Sequence, residues 1–141
     1  MAEPFVEPFF SDLHKAHLKS LGYKKIRHTF SRELPDYIER VQLQGSAWNS
    51  SGKSWLFYIN IGIQFSDLPR SELDRDFPNT HAHGRIGSIV KSETSFFELT
   101  EKNSNEMLII IAGLLVEASA ALKNMALDQR LKYLEGHVVR F

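Results

Sequence analysis

The residues Ala47-Trp48-Asn49-Ser50-Ser51-Gly52-Lys53-Ser54 have the loose outline of a phosphate-binding loop, with Ala in the first glycine position. That chemistry needs backbone N–H groups wrapped around phosphate at a helix start, with the lysine reaching the outer phosphates. The next residues, Trp55-Leu56-Phe57-Tyr58-Ile59, read as strand and offer no helix N-terminus. The segment is therefore expected to be a solvated hairpin loop. Two histidine pairs have metal-ligand spacing: His14 with His17, three apart on one helix face, and His81 with His83, near Asp74 and Asp76. No motif fixes a geometry around them, and His17 reads more simply as a hydrogen-bonded boundary residue, so no metal is expected. There is no Gly-x-Ser-x-Gly elbow and no cysteine, which removes two common nucleophiles along with disulfides and cysteine-ligated zinc. Paired carboxylates stay open, because Asp and Glu are many and unplaced. No catalytic residue and no cofactor are assigned.

A second kind of chemistry lies in uncharged polar side chains. Tyr58, Asn60 and Gln64 share one face of a strand, and Gln42 and Gln44 share a face of the strand before it. Amides with a tyrosine suit hydrogen-bonded recognition of a ligand or peptide, and Gly62 leaves room for something to come close. An ordinary solvent-facing sheet surface would look the same.

Charge is less even than its sum. The 141 residues carry 17 basic and 17 acidic side chains, a net charge of zero that argues against a DNA-tracking surface. Yet Lys15, Lys19, Lys24, Lys25, Arg27 and Arg32 fall in one stretch with no acid after Asp12, while Glu93 to Glu106 is acidic. The basic stretch could dock an anionic partner, and a weak RNA binder through residues 15–32 is the third functional reading. It could equally be a solvated helix face and a lysine-protected edge strand.

Four sections of chain must position these groups. Pro8 suits a first helical turn, and Phe10, Leu13, His17 or Leu18, and Leu21 recur at helical spacing until Gly22, predicting a helix over about 8–21. Lys24 to Arg32 reads as a weak strand pair. Ile38–Gln44 sets Val41 and Leu43 opposite Gln42 and Gln44. Trp55–Phe65 alternates throughout, with Trp55, Phe57, Ile59, Ile61, Ile63 and Phe65 on one side. Shorter strands are expected near His83–Ile89 and Phe96–Leu99. Asn103 and Glu106 read as a capping pair opening a long helix to about Leu127. It is apolar nearly all round from Met107 to Ala121, and a short last helix through Leu131 and Leu134 ends at Gly136.

The order predicts an α+β fold: an antiparallel sheet of about four or five strands flanked on one face by the N-terminal and the long C-terminal helix. A single domain over 1–141 is expected. The N-terminal Met1–Pro8 carries acids and prolines where a signal peptide needs positive charge. The longest apolar run, Met107–Val116, is ten residues against the about 20 of a membrane span, so a cytoplasmic protein without membrane association is expected.

Gly22-Tyr23-Lys24-Lys25, Thr29-Phe30-Ser31-Arg32, Phe57-Tyr58-Ile59-Asn60-Ile61-Gly62-Ile63 and His83-Gly84-Arg85-Ile86-Gly87 stand in an order and spacing that resemble a family of small bacterial proteins. Its members are grouped as a domain of unknown function, with Gly-Phe-Lys-Lys, Asn-Leu-Gly-Ile and Arg-Ile-Gly motifs. The likeness spans roughly residues 9–100, and Phe96-Phe97 replaces a tryptophan-rich segment. It implies no catalytic residue. It directs attention to Arg32, Asn60 and Arg85: two arginines could clamp a carboxylate or phosphate while Asn60 orients it. Alternatively Arg85 pairs with Asp74 or Asp76 and Asn60 satisfies a strand bulge. The candidate ligand-binding residues are Arg32, Gln42, Gln44, Tyr58, Asn60, His83 and Arg85. The first reading is a non-enzymatic interaction or ligand-binding module, by analogy of an immunity or antitoxin type, whose partner is another protein or a small anionic ligand. The alternative is an enzyme with a site around His83, Arg85 and the 66–82 loop.

Overall fold

The computed structural model describes residues 4–46, 49, 54–69, 80–90, 96–135 and 139–141. Helix α1, Val6–Leu13, holds Pro8 in its first turn, where a missing N–H forfeits no helical bond. The helical path then widens into a π turn at His14–Leu18 and tightens into a 3-10 turn at Lys19–Leu21, so the expected helix is present but irregular. Gly22 stops it at φ 95°, where a side chain would be strained. The N–H groups of Gly22 and Tyr23 return to the carbonyls of Lys19 and Leu18.

Beyond Gly22 the described residues form seven strands: β1 Lys24–Ile26, β2 Thr29–Glu33, β3 Tyr37–Gly45, β4 Ser54–Phe65, β5 Ala82–Arg85, β6 Phe96–Thr100 and β7 Val139–Arg140. They form one sheet in the order β1-β2-β3-β4-β5-β7. On the β4 edge away from β3, β6 pairs with residues 54–58 and β5 with residues 60–63. Neighbours are antiparallel except β5 and β7, which are parallel. The expected four or five strands become seven because residues 24–33 fold as a true hairpin, and because β7 is too short to show a period. The β5 strand stops at Arg85 rather than Ile89, giving way to a 3-10 turn at Ile86–Ser88 that buries Ile86.

Helix α2, Ser104–Leu134, is one helix of 31 residues and not two. No glycine or proline stands between Leu127 and Leu131 to break it, and Lys132 reaches Asp128 one turn back at 3.3 Å. The expected capping pair is also absent. The Asn103 side chain accepts from the Thr100 N–H at 2.8 Å and donates to the Glu98 carbonyl at 2.9 Å, tying the helix start to β6 instead.

The core lies between the helices and one sheet face. Trp55, Phe57, Ile59, Ile61, Ile63 and Phe65 are all buried, as their alternation predicts. Covering them are Val6, Phe9, Phe10 and Leu13 from α1, and Met107, Ile111, Leu115, Ala118 and Leu122 from α2. Phe10 stands edge-on to Trp55 at 5.5 Å. Each such side chain contributes about 1.5–3 kcal/mol when fully buried.

The apolar girth of α2 is not all spent on this core, because Ile109, Ile110 and Val116 are exposed. By length and composition α2 is also long and apolar enough to cross a membrane. The shorter run counted from the sequence stops at Glu117, the one charge between Met107 and Leu122.

Candidate functional site

Strand register sorts the polar residues onto two faces. Arg32 lies opposite Glu39, whereas Gln42, Asn60 and Arg85 lie in one row across β3, β4 and β5. Successive residues of a strand face opposite sides. Arg32 therefore points to the helices, and Gln42, Gln44, Tyr58, Asn60, His83 and Arg85 belong to the outer face. Six of the seven candidate residues share this face, and Arg32 and Arg85, on opposite faces, do not form a shared clamp.

On the outer face the side chains orient one another. Arg85 Nη1 donates to Asn60 Oδ1 at 2.6 Å and to Gln44 Oε1 at 3.1 Å. A guanidinium can only donate, so the Asn60 oxygen must face it and the Asn60 amide must face away. That amide donates to Gln42 Oε1 at 2.9 Å and Gln44 Oε1 at 2.8 Å. With both glutamine oxygens engaged, each glutamine presents its NH2 group elsewhere. The Arg85 guanidinium lies 4.0 Å from the Tyr58 ring centroid, and Tyr58 packs on Phe96 at 4.8 Å. Among the described residues no carboxylate pairs with Arg85, and Asp74 and Asp76 lie outside them. The cluster is thus a cation held by neutral groups, with amide donors beside it. Asn60, only 8% exposed, is its hub.

His83 sits on the same face one row over, opposite Gly62, and is buried. The room left by Gly62 is filled by the chain itself. A Cβ there would come within 2.8 Å of Thr80 Cγ2 and 3.1 Å of His83 Cβ. Further along the face, Gly22, Lys24, Ser31, Glu33, Ile38 and Arg40 line a cavity of about 200 Å³. Arg40 is held there by Gln64 Oε1 through Nε at 3.2 Å and Nη2 at 2.5 Å.

The helix-facing side carries a cluster that sequence reasoning missed. Glu39 is fully buried. Its carboxylate accepts from the Tyr23 hydroxyl, from Ser119 Oγ at 2.7 Å and from Arg32 Nη2 at 3.3 Å. Arg32 also donates to Ser119 and to the Leu21 carbonyl at 3.1 Å, and lies 4.7 Å from the Tyr23 ring centroid. Burial, then the Glu39 charge, hold the Tyr23 hydroxyl well above the usual tyrosine range, and the same causes raise Tyr37. Arg32 Nε and the Tyr37 hydroxyl are buried with no hydrogen-bond partner among the described residues. The readable signal was Glu39 itself, which alternates in phase with Tyr37, Val41 and Leu43. An acid in an apolar phase must be paired.

One histidine of each pair, His14 and His81, has a structural partner. His14 Nε2 donates to the Tyr23 carbonyl at 2.8 Å. His81 Nδ1 accepts from the Phe65 N–H at 2.9 Å, so its Nε2 carries the proton donated to the Pro69 carbonyl at 2.6 Å. No group of three or more metal-ligating side chains occurs among the described residues. In the 47–54 segment only Asn49 and Ser54 are described. Asn49 closes the hairpin, its side chain pairing with both the N–H and carbonyl of Leu56 at 2.7 Å. Ser54 opens β4, one residue before the expected strand start at Trp55. Of the basic stretch, Lys24 and Lys25 lie on the edge strand β1, whereas Arg32 is turned inward.

A family model described as a domain of unknown function, DUF4304, matches residues 14–122, and the chain belongs to that family. The match runs past the motifs of the sheet and into α2, further than the likeness read from the sequence. No curated protein and no solved structure matches the chain.

Proposed function

We propose that this DUF4304 member is a non-enzymatic binding module that takes an anionic group, carboxylate or phosphate, on the outer sheet face at Arg85, Gln42 and Gln44. One observation carries the reading: Arg85 is held by Asn60, Gln44 and the Tyr58 ring, all neutral, while the same bonds turn the glutamine NH2 groups away from Asn60. A guanidinium with no carboxylate partner among the described residues, beside amide donors, suits an acceptor-rich ligand, and the arginine fork suits carboxylate or phosphate best. The anion belongs to a small molecule or to an acidic protein partner. A bacterial cytoplasmic partner protein of the immunity or antitoxin kind is the more specific form of this reading, by analogy.

The experiment is an amide and side-chain NMR titration with inorganic phosphate, citrate and a glutamate-rich peptide. Shifts should cluster at Gln42, Gln44, Asn60 and Arg85, and should vanish in Arg85→Ala. Shifts scattered over the surface, or unchanged in the variant, contradict the proposal.

A further inference from the structure

We propose that α2 pairs with α2 of a second copy of this chain, antiparallel, about a two-fold axis through Ala120. Ile109, Val116, Leu127, Leu131 and Leu134 lie on the side of α2 turned away from the core, and all are more than half exposed. Their spacing, with Gly113 and Ala120, follows the seam of a helix–helix contact. Ile109 to Leu131 spans about 33 Å at the helical rise, a strip too long to be a scattered surface residue or two.

The occupant is indicated by charge and size complementarity. The middle of the strip is polar: Glu117 and Lys123 flank Ala120 at equal sequence distance. An anionic lipid surface offers a partner to Lys123 but none to Glu117. A two-fold at Ala120 sets each Glu117 against the Lys123 of the other copy, twice over. The same operation sets Ile109 opposite Leu131. It also sets Leu127, the most exposed large apolar residue among those described at 70%, opposite Gly113. A Cβ at Gly113 would meet nothing within 4 Å, so the position is an open recess for that leucine. Two pairs are mismatched, Val116 opposite Asn124 and, at the ends of the strip, Leu134 opposite Glu106. An interface that is its own complement under a two-fold is the geometry of an isologous dimer.

Sedimentation equilibrium on the full chain tests the pairing, with circular dichroism confirming that each variant is folded. The wild type should be dimeric at micromolar concentration. Glu117→Lys should weaken the dimer by at least about tenfold through two Lys–Lys contacts, and Glu117→Lys with Lys123→Glu should restore it. Leu127→Glu, at an exposed site, should also dissociate it without unfolding the chain. A monomer at every concentration overturns the proposal, and so does a dimer indifferent to both Glu117→Lys and Leu127→Glu. A monomer that binds phosphatidylglycerol vesicles overturns it in favour of lipid.

Discussion

Replacing Glu39 by leucine removes one carboxylate that three donors share. The Tyr23 hydroxyl, Ser119 Oγ and Arg32 Nη2 all lose their common acceptor in a place where Glu39 has no exposed surface. Breaking a buried pair by removing one member typically costs 3–5 kcal/mol, because the remaining charge is uncompensated. Arg32 keeps the Leu21 carbonyl at 3.1 Å and a side chain 20% exposed, which places the cost near the lower end, about 3 kcal/mol. Against a total stability of about 5–15 kcal/mol this is a large fraction. With a urea slope of about 2 kcal/mol per molar, the unfolding midpoint should fall by about 1.5 M. Tryptophan fluorescence reports the transition, since Trp55 is buried and stacked on Phe57 at 4.9 Å. The sharper check is the double variant. If the penalty is the stranded charge, Arg32→Met with Glu39→Leu should be more stable than Glu39→Leu alone. A Glu39→Leu penalty below about 1 kcal/mol, or a double variant equal to the sum of its singles, would refute the reasoning.

Three further outcomes rest on the same structure. Gly62→Ala should destabilise by about 1–3 kcal/mol through overpacking against Thr80 and His83, measured by urea unfolding; a neutral result would show that β5 can shift away. Tyr23 and Tyr37 have raised folded-state values, so the neutral forms favour folding fully below the ordinary value of 10.0, and that contribution is lost as pH rises beyond it. The melting temperature should therefore fall steeply above about pH 10 as tyrosinate absorbance appears, and Tyr23→Phe should flatten the fall. Asn103→Ala should cost about 1 kcal/mol in thermal unfolding by freeing the Thr100 N–H and the Glu98 carbonyl at the β6–α2 joint.

The sheet was legible wherever one face is apolar and the period is long enough to count. Trp55–Phe65 and Val41–Leu43 announce both their strands and their faces. The same alternation placed Gln42, Gln44, Tyr58 and Asn60 together, which is why most of the outer-face site was readable. What failed was the assignment of Arg32, whose phase matches Glu39 rather than Gln42. Parity within each strand was visible, but the register that relates the two strands is fixed by the β2–β3 connection. The two ends of α2 differ from expectation for another reason. Asn103 satisfies a backbone group of the preceding strand rather than its own helix. The Asp128–Lys132 stretch stays helical because nothing there stops a helix already propagated for six turns or more. Gly62 signalled close approach correctly, but the approaching group is the protein's own Thr80.

The most direct measurement of the proposed site is the affinity of Asn60→Asp for inorganic phosphate or citrate, compared with wild type by titration calorimetry. The aspartate keeps an oxygen for Arg85 but puts a second oxygen where the amide faced Gln42 and Gln44. It neutralises the guanidinium and forces both glutamine amides to turn over, so their oxygens face the ligand. The account predicts a folded protein whose anion affinity falls at least about tenfold. Undiminished affinity in a folded Asn60→Asp protein would contradict it.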